Sequence, residues 1–398
     1  MADDLRSLRA QLTACDEQIV TLLGERMRLI RRVADVKAAA NLPSFDRGRE
    51  GAHMDDLHAR AAMANVPAEV LRDVYGTLFA ASREAQREAL HAGDERFSIG
   101  IIGGTSGMGS FLARIFTRAG YAVETTGVVA VSPGGPNADH HGGVPASPDP
   151  PPRHVGSSNV DVASRHDLVI VAVPISVTVD VIREIAPHVR AGACLCDVTS
   201  VKRAPLEAML ASAPETVDVV GTHPMFGPGG DDMDRQRVVV CRGRGSAGEA
   251  RVRRLFESFG AEIIEATAEE HDAQMSLIQV LVHEKTMVLG SVMERLKADL
   301  PRSLQFASPI YRIELATIGR MFSQRAELYA DILTSNPDGA AVSHLFEQEA
   351  AHFSRAVAMH DRETMLARFR EISTFMTEFA AWAKKESDAI LRDIVRHG

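Results

Sequence analysis

A chain of 398 residues, 45% hydrophobic and 24% charged, holds apolar material for two or three cores and lacks the composition of a disordered segment. A net charge of −9, one Trp and 5% aromatic residues argue against a nucleic-acid partner, which requires a cationic surface and stacking rings. Cys15, Cys194, Cys196 and Cys241 show neither zinc nor disulfide spacing, and the charged N-terminus precedes no apolar run of bilayer length. The expectation is a cytoplasmic protein with reduced thiols, no metal site, no signal peptide and no membrane span. An anionic ligand of so acidic a protein must be met by local clusters of Arg and Lys.

From Asp3 to about Ala40 the chain has no Pro and only Gly24, and Leu5, Leu8, Leu12, Ile19, Leu22, Leu23, Ile30 and Val33 recur at helical spacing. This predicts one helix of about 55 Å. It is too long to be buried within its own block of residues 1–92, so it is expected to pack against a partner chain. Pro43 ends it, and two more helices are expected, Arg47 to Ala64 and Pro67 to Ala92. Arg26 and Lys37, eleven residues apart, share one face to within about 20°. Arg9, seventeen residues before Arg26, is rotated by about 100° to another face. Arg49 and Glu50 open the second helix, and Ser82 and Gln86 share a face of the third. Taken singly these are ordinary solvated charges; as a set they form a mainly cationic group.

A polar linker leads to Phe97, where an apolar run (Ile99, Ile101, Ile102) enters a glycine cluster and then an amphipathic stretch (Phe111, Leu112, Ile115, Phe116). Strand, tight turn and helix in that order begin a dinucleotide-binding unit over residues 97–265. Gly103, Gly104, Ser106, Gly107, Met108 and Gly109 are the expected cradle for a pyrophosphate, with Ser106 where the fingerprint has its second glycine. The second strand, Tyr121 to Thr126, ends without the carboxylate that would meet a ribose hydroxyl, so NAD and NADP both stay open. Residues 132–158 are rich in Pro, Gly and His and read as a flexible insertion; His140 and His141 have no third metal ligand in pattern. An apolar strand resumes at Asp167 to Pro174, and helices (IREIAPHV, PLEAMLAS) alternate with strands (CLCDVTS, VDVVGTHPMF) as in a doubly wound α/β sheet. Ser200, Lys202 and His223 fall at strand exits, where such sheets bind ligands. His223, followed by Pro224, Gly227, Pro228, Gly229 and Gly230, is a candidate for catalysis. Residues 266–398 turn helical: His283 sits on an apolar helix, and Arg312 and Arg320 on another, a setting that calls for an anionic partner.

The helical block resembles the all-helical chorismate mutases through LRAQL, ERMRLI, VADVK, FDRGRE and SREAQ, in order. The resemblance implies that Arg9, Arg26 and Arg49 bind the substrate carboxylates and that Lys37 and Gln86 donate to the ether oxygen. Glu50 and Asp46 would sit near the ring hydroxyl, and Ser82 would complete the pocket. It also implies an intertwined homodimer in which Arg9 serves the partner's site. From Phe97 onward the chain resembles prephenate dehydrogenase, through IIGGTSGMG, VAVPISVT, TSVKRAPLEAML, GTHPMFGP, EEHDAQMSLIQVLVH and SPIYRIELATIGRMF. By that resemblance His223 takes the proton of the ring 4-hydroxyl, Ser200 assists it, and Arg320 binds a substrate carboxylate. His283 lines the side-chain end of the pocket, with Arg312 and Lys202 in support; the cofactor is NAD, with NADP open, held also by Thr126. The whole is similar to the bifunctional chorismate mutase/prephenate dehydrogenases of tyrosine biosynthesis, acting on chorismate and prephenate. Two alternatives stand beside this: a 4-amino-4-deoxy or arogenate substrate on the same fold, or a helical block that only dimerises and regulates.

Overall fold

The computed structural model describes residues 2–39, 47–91, 97–127, 157–230 and 232–397. Asp46, His140, His141 and the predicted insertion up to residue 156 lie outside them. The chain forms two compact units, Met1–Val173 with Thr178–Thr199 and Pro205–Ala266, and Pro174–Val177 with Ser200–Ala204 and Thr267–Gly398.

The first unit opens with three helices, α1 (Ala2–Ala39), α2 (Arg47–Met63) and α3 (Ala68–His91), each within a residue or two of its predicted span. The face of α1 carrying Leu23, Met27, Ile30 and buried Ala34 lies on α3. Its other apolar face is left open: Leu5, Leu8, Leu12, Ile19, Leu22 and Leu29 are all at least half exposed.

A seven-stranded sheet follows, built from β1 (Ser98–Ile102), β2 (Ala122–Thr126), β3 (Leu168–Val171), β4 (Cys194–Asp197), β5 (Asp218–Pro224), β6 (Arg237–Arg244) and β7 (Glu262–Ala266). Their order is β2-β1-β3-β4-β5-β6-β7, and all neighbours are parallel except β5 and β6. The connecting helices are α4 (Gly107–Arg118), α5 (Asn159–Arg165), α6 (Ile175–Ile185), α7 (Arg203–Ser212) and α8 (Ser246–Ser258). Strand order reverses between β1 and β3, which puts the crevice of a doubly wound sheet at the C-terminal end of β1. The core there is dry: Ile99, Ile101, Ile102, Leu112, Phe116, Leu168 and Ile170 are fully buried.

Two elements differ from expectation for local reasons. Regular structure resumes before Asp167, because Ser158 and Asp161 close a capping box that starts α5; Ser157 and Ser158 therefore belong to the sheet domain and not to the insertion. The helix expected from Ile182 begins at Ile175, directly after Pro174, which cannot continue β3.

The second unit is helical: α9 (Ala268–Met275), a π-helical turn (Ser276–Leu281), α10 (Val282–Arg295), α11 (Leu300–Leu304), α12 (Pro309–Phe322), α13 (Ala326–Ser335), α14 (Gly339–Ala358), α15 (Arg362–Phe375) and α16 (Thr377–His397). Its buried anchor is Asp272, fully enclosed, whose carboxylate accepts the backbone N–H groups of Lys202 (2.7 Å) and Arg203 (3.0 Å). Asn336 donates to the Asp272 carbonyl at 2.9 Å, and Arg203 pairs with Asp338 at 2.6 Å.

Candidate active sites

In the helical block two of the predicted residues, Arg26 and Ser82, meet directly between α1 and α3. Arg26 donates from α1 to the hydroxyl of Ser82 at 2.6 Å and to the carbonyl of Leu78 at 3.2 Å, both on α3. Ser82 is buried and its hydroxyl in turn donates to Leu78, so the guanidinium is held by groups that cannot swing away. The ring of Phe79 lies 5.8 Å beneath that guanidinium. Lys37 follows on the same face of α1, half-buried, while Arg49 is exposed and Glu50 half-buried at the start of α2. Gln86 lies on α3, one turn beyond Ser82. Arg9 stands apart: it is exposed, and at 1.5 Å per residue it lies roughly 25 Å along the axis from Arg26. The structure does not bring Arg9 together with the Arg26–Ser82 group.

In the sheet domain, the turn between β1 and α4 has the shape of a pyrophosphate cradle. Gly103 has φ +94°, and a Cβ there would lie 2.5 Å from the carbonyl oxygen of Ala172 after β3, so only glycine lets the turn close. Gly107 supplies the other left-handed step, φ +56°, with open space around it. Ser106 is extended (φ −154°, ψ 169°) and exposed. A side chain is therefore no obstacle there, and the departure from the glycine fingerprint carries no strain. Ser106 makes no side-chain cap to α4, so its hydroxyl does not occupy the first N–H groups of that helix. Gly109 packs against the carbonyl of Gly103. The carbonyl of Thr126 accepts from Gly103 (3.2 Å) and Gly104 (2.9 Å), tying the end of β2 to the turn. Its hydroxyl donates to Asn159 at 2.8 Å. A backbone cradle facing a helix N-terminus, with an apolar floor, fits a dinucleotide. Among the described residues no carboxylate follows β2 to meet a ribose hydroxyl.

His223 sits next to last in β5, 4% exposed, paired in register with Val239 of antiparallel β6. It is thus a strand residue just short of the exit, paired on the β6 side and lying two residues beyond the last β4 partner. Beneath it Thr222 donates to the Asp197 carbonyl at the end of β4, and Thr199 caps the Asp197 carboxylate.

In the second unit, His283 lies in the first turn of α10, immediately after the π-helical turn, a feature that often marks functional sites. The ring of Tyr329 from α13 meets it edge-on, with centroids 5.0 Å apart. Tyr329 was not singled out by motif, since it lies beyond the helix that carries Arg320. Burial lowers the pKa of His283 and raises that of Tyr329, against the opposing pull of the Arg320 charge. Arg320 is exposed at the end of α12, and Arg312 is half-buried one turn in. Ser200 is half-buried; Lys202 is fully buried and gives its N–H to Asp272. Among the described residues no three His, Cys, Asp or Glu side chains cluster as a metal site, and no helix is long and apolar enough to cross a membrane.

Comparison with known proteins matches these parts one by one. Residues 8–87 match chorismate mutase type II, residues 154–265 the nucleotide-binding domain of prephenate dehydrogenase, and residues 267–371 its dimerization domain. Residues 98–201 also match the coenzyme F420-dependent NADP oxidoreductases. The T-protein of Haemophilus influenzae is 30% identical over 398 residues, 98% of this chain and 96% of that one. The T-protein of Enterobacter agglomerans is 29% identical over 401 residues, 98% of each. Among solved structures, the prephenate dehydrogenase of Aquifex aeolicus, in complex with hydroxyphenyl propionate and NAD+, shares the fold with a TM-score of 0.53 at 15% identity, over 72% of this chain and 99% of that one.

Proposed function

Because the chain belongs to the family in which a type II chorismate mutase is fused to a prephenate dehydrogenase, we propose a division of labour among its residues for the two reactions. The protein is an enzyme with chorismate mutase and prephenate dehydrogenase activities, serving tyrosine biosynthesis. What carries this reading is similarity that runs unbroken through the helical block and the sheet domain alike. A helical block without chemistry would leave the Arg26–Ser82 cluster without a purpose, and the likeness to T-proteins over 98% of the chain favours prephenate over a 4-amino or arogenate substrate.

In the mutase reaction no nucleophile or base is required; a dianion is folded, and charge develops on the breaking ether oxygen. Arg26, its orientation fixed by Ser82, and Arg49 hold the carboxylates together with Arg9 from a second copy. Lys37 and Gln86 donate to the ether oxygen, and Glu50 with Asp46 accepts from the ring hydroxyl. In the dehydrogenase reaction His223 takes the proton of the ring 4-hydroxyl, its ring enclosed away from water. Ser200 assists it, Arg320 holds a carboxylate, and His283, kept neutral by burial, lines the side-chain end, with Arg312 and Lys202 as supports. NAD, when bound on the turn from Gly103 to Gly109, supplies the hydride acceptor that accompanies loss of the ring carboxylate as carbon dioxide.

The domain division proposed is 1–92, 97–265 and 266–398, in a cytoplasmic homodimer. The exposed apolar face of α1 and the distance of Arg9 from its own cluster support the dimer. The test uses the full chain with chorismate, or with prephenate and NAD. Both turnovers are expected; His223→Asn should lose only the second and Lys37→Ala only the first. Loss of both activities in either folded variant would mean one shared site.

A further inference from the structure

Arg83 follows Ser82 on α3, and its side chain is only 9% exposed. One terminal nitrogen lies 2.9 Å from both carboxylate oxygens of Glu50 on α2, and Nε lies 2.8 Å from Oδ2 of Asp234. The two carboxylates are themselves largely enclosed, 29% and 12% exposed. They come from different parts of the fold. Glu50 belongs to the helical block, whereas Asp234 lies in the connection from β5 to β6, the loop that leaves the strand carrying His223.

That loop is firmly held. Met225 donates to the Arg237 carbonyl at 2.9 Å, Arg235 to Gly260 at 2.8 Å, and Gln236 to Met233 at 3.0 Å. Met233 is fully buried, and Arg114 of α4 donates to the Gly230 carbonyl at 2.9 Å. Asp234 is therefore a fixed point. An exposed ion pair contributes little, but a guanidinium that donates through two of its nitrogens to two enclosed carboxylates has a defined orientation and transmits it. Burial opposes the charge on Arg83, yet the bonds to Glu50 and Asp234 outweigh it and hold the group firmly protonated.

We infer that Arg83 is a positioning residue for the mutase reaction, fixing the Glu50 carboxylate from an anchor, Asp234, that belongs to the dehydrogenase domain. The inference rests on the proposed role of Glu50 at the chorismate ring hydroxyl. It makes mutase efficiency depend on a residue 151 positions from Arg83 in sequence, outside the mutase block.

The test uses the full-length protein with Arg83→Gln, Arg83→Lys, Asp234→Asn and the double variant Arg83→Gln/Asp234→Asn, with both activities and thermal unfolding measured. A misplaced polar contact costs of order tenfold or more in rate. Arg83→Gln is expected to lower mutase kcat roughly tenfold with a smaller change in KM, and Arg83→Lys to recover part of it. Asp234→Asn is expected to lower mutase kcat about threefold while dehydrogenase turnover stays within about twofold. The double variant should be no worse than Arg83→Gln alone, because the two act through one contact. Wild-type mutase kcat in folded Asp234→Asn overturns the inference, as do additive effects or equal loss of both activities with a lowered melting temperature. If Arg83→Gln fails to fold, Asp234→Asn and Arg83→Lys decide alone. Absence of chorismate turnover in the wild-type protein would instead remove the mutase reading itself. Normal mutase kcat in Glu50→Gln would remove the role of Glu50 and overturn the inference with it, while leaving the mutase reading in place.

Discussion

His283 and Tyr329 meet at right angles with ring centroids 5.0 Å apart, and burial acts on the two in opposite senses, lowering the pKa of the imidazole and raising that of the phenol. Both shifts keep the pair neutral. Because the folded state binds a proton at His283 less readily than the unfolded chain does, lowering the pH through the ordinary histidine range, about 6.5, favours unfolding. The contribution of this residue is intact above that range and lost below it. Thermal unfolding of wild type and His283→Asn between pH 5.5 and 7.5 checks this. The wild type should lose more of its melting temperature on acidification than the variant, and parallel curves would sink the idea.

Ser82 is the neutral partner that aims Arg26, at 2.6 Å. Ser82→Ala removes the nearer of the two acceptors of Arg26 and leaves the guanidinium on the longer bond to Leu78. A hydrogen bond to a charged group is worth about 1.5–3 kcal/mol, so chorismate turnover should fall by about tenfold or more. Dehydrogenase turnover in the same preparation should be unchanged. A mutase rate within about twofold of wild type would assign the positioning of Arg26 to the Leu78 carbonyl instead.

Long periodic segments and the glycine turn were legible in the sequence because each is specified locally. The three N-terminal helices follow from apolar spacing, and the strand, turn and helix from Phe97 follow from glycines placed where the backbone must bend. What was not legible is what depends on the third dimension. Arg83 is one charged residue within SREAQ until α2 and the β5–β6 loop bring Glu50 and Asp234 to it. Tyr329 lies nine residues past Arg320 in another helix, with no spacing that links it to His283. The helix α5 is seven residues long, too short for a period, and is declared only by its Ser158–Asp161 cap. Ser106 looked like a defect in the fingerprint because φ is not written in a sequence; at −154° any residue is tolerated.

The nucleotide preference should be shallow. Thr126 closes β2 with its hydroxyl given to Asn159, and among the described residues no acid follows it to repel a 2′-phosphate or to grip a 2′-hydroxyl. Prephenate oxidation with NAD and with NADP, compared as kcat/KM, is expected to differ by less than about a hundredfold, since one good charged hydrogen bond accounts for about that much. A preference of more than about a thousandfold for either nucleotide would overturn the expectation.

Asp272 makes the sharpest prediction about stability. Full burial would by itself raise its pKa, yet the His271 ring at 2.8 Å and the N–H groups of Arg203 and Lys202 hold it below the ordinary carboxylate value. For an acid whose folded pKa is depressed, the stabilisation is present above the ordinary range near pH 4 and disappears as the pH falls through the folded value. Asp272→Asn keeps the shape but replaces one acceptor oxygen with a donor facing the start of α7. A cost of about 3 kcal/mol at pH 7 is expected by chemical denaturation, shrinking as the pH approaches 3. Because the same carboxylate anchors the segment from Ser200 to Arg203, dehydrogenase kcat should fall in this variant while chorismate turnover persists. A variant as stable as wild type at pH 7 would show that Asn336 and Arg203 hold the segment without the charge.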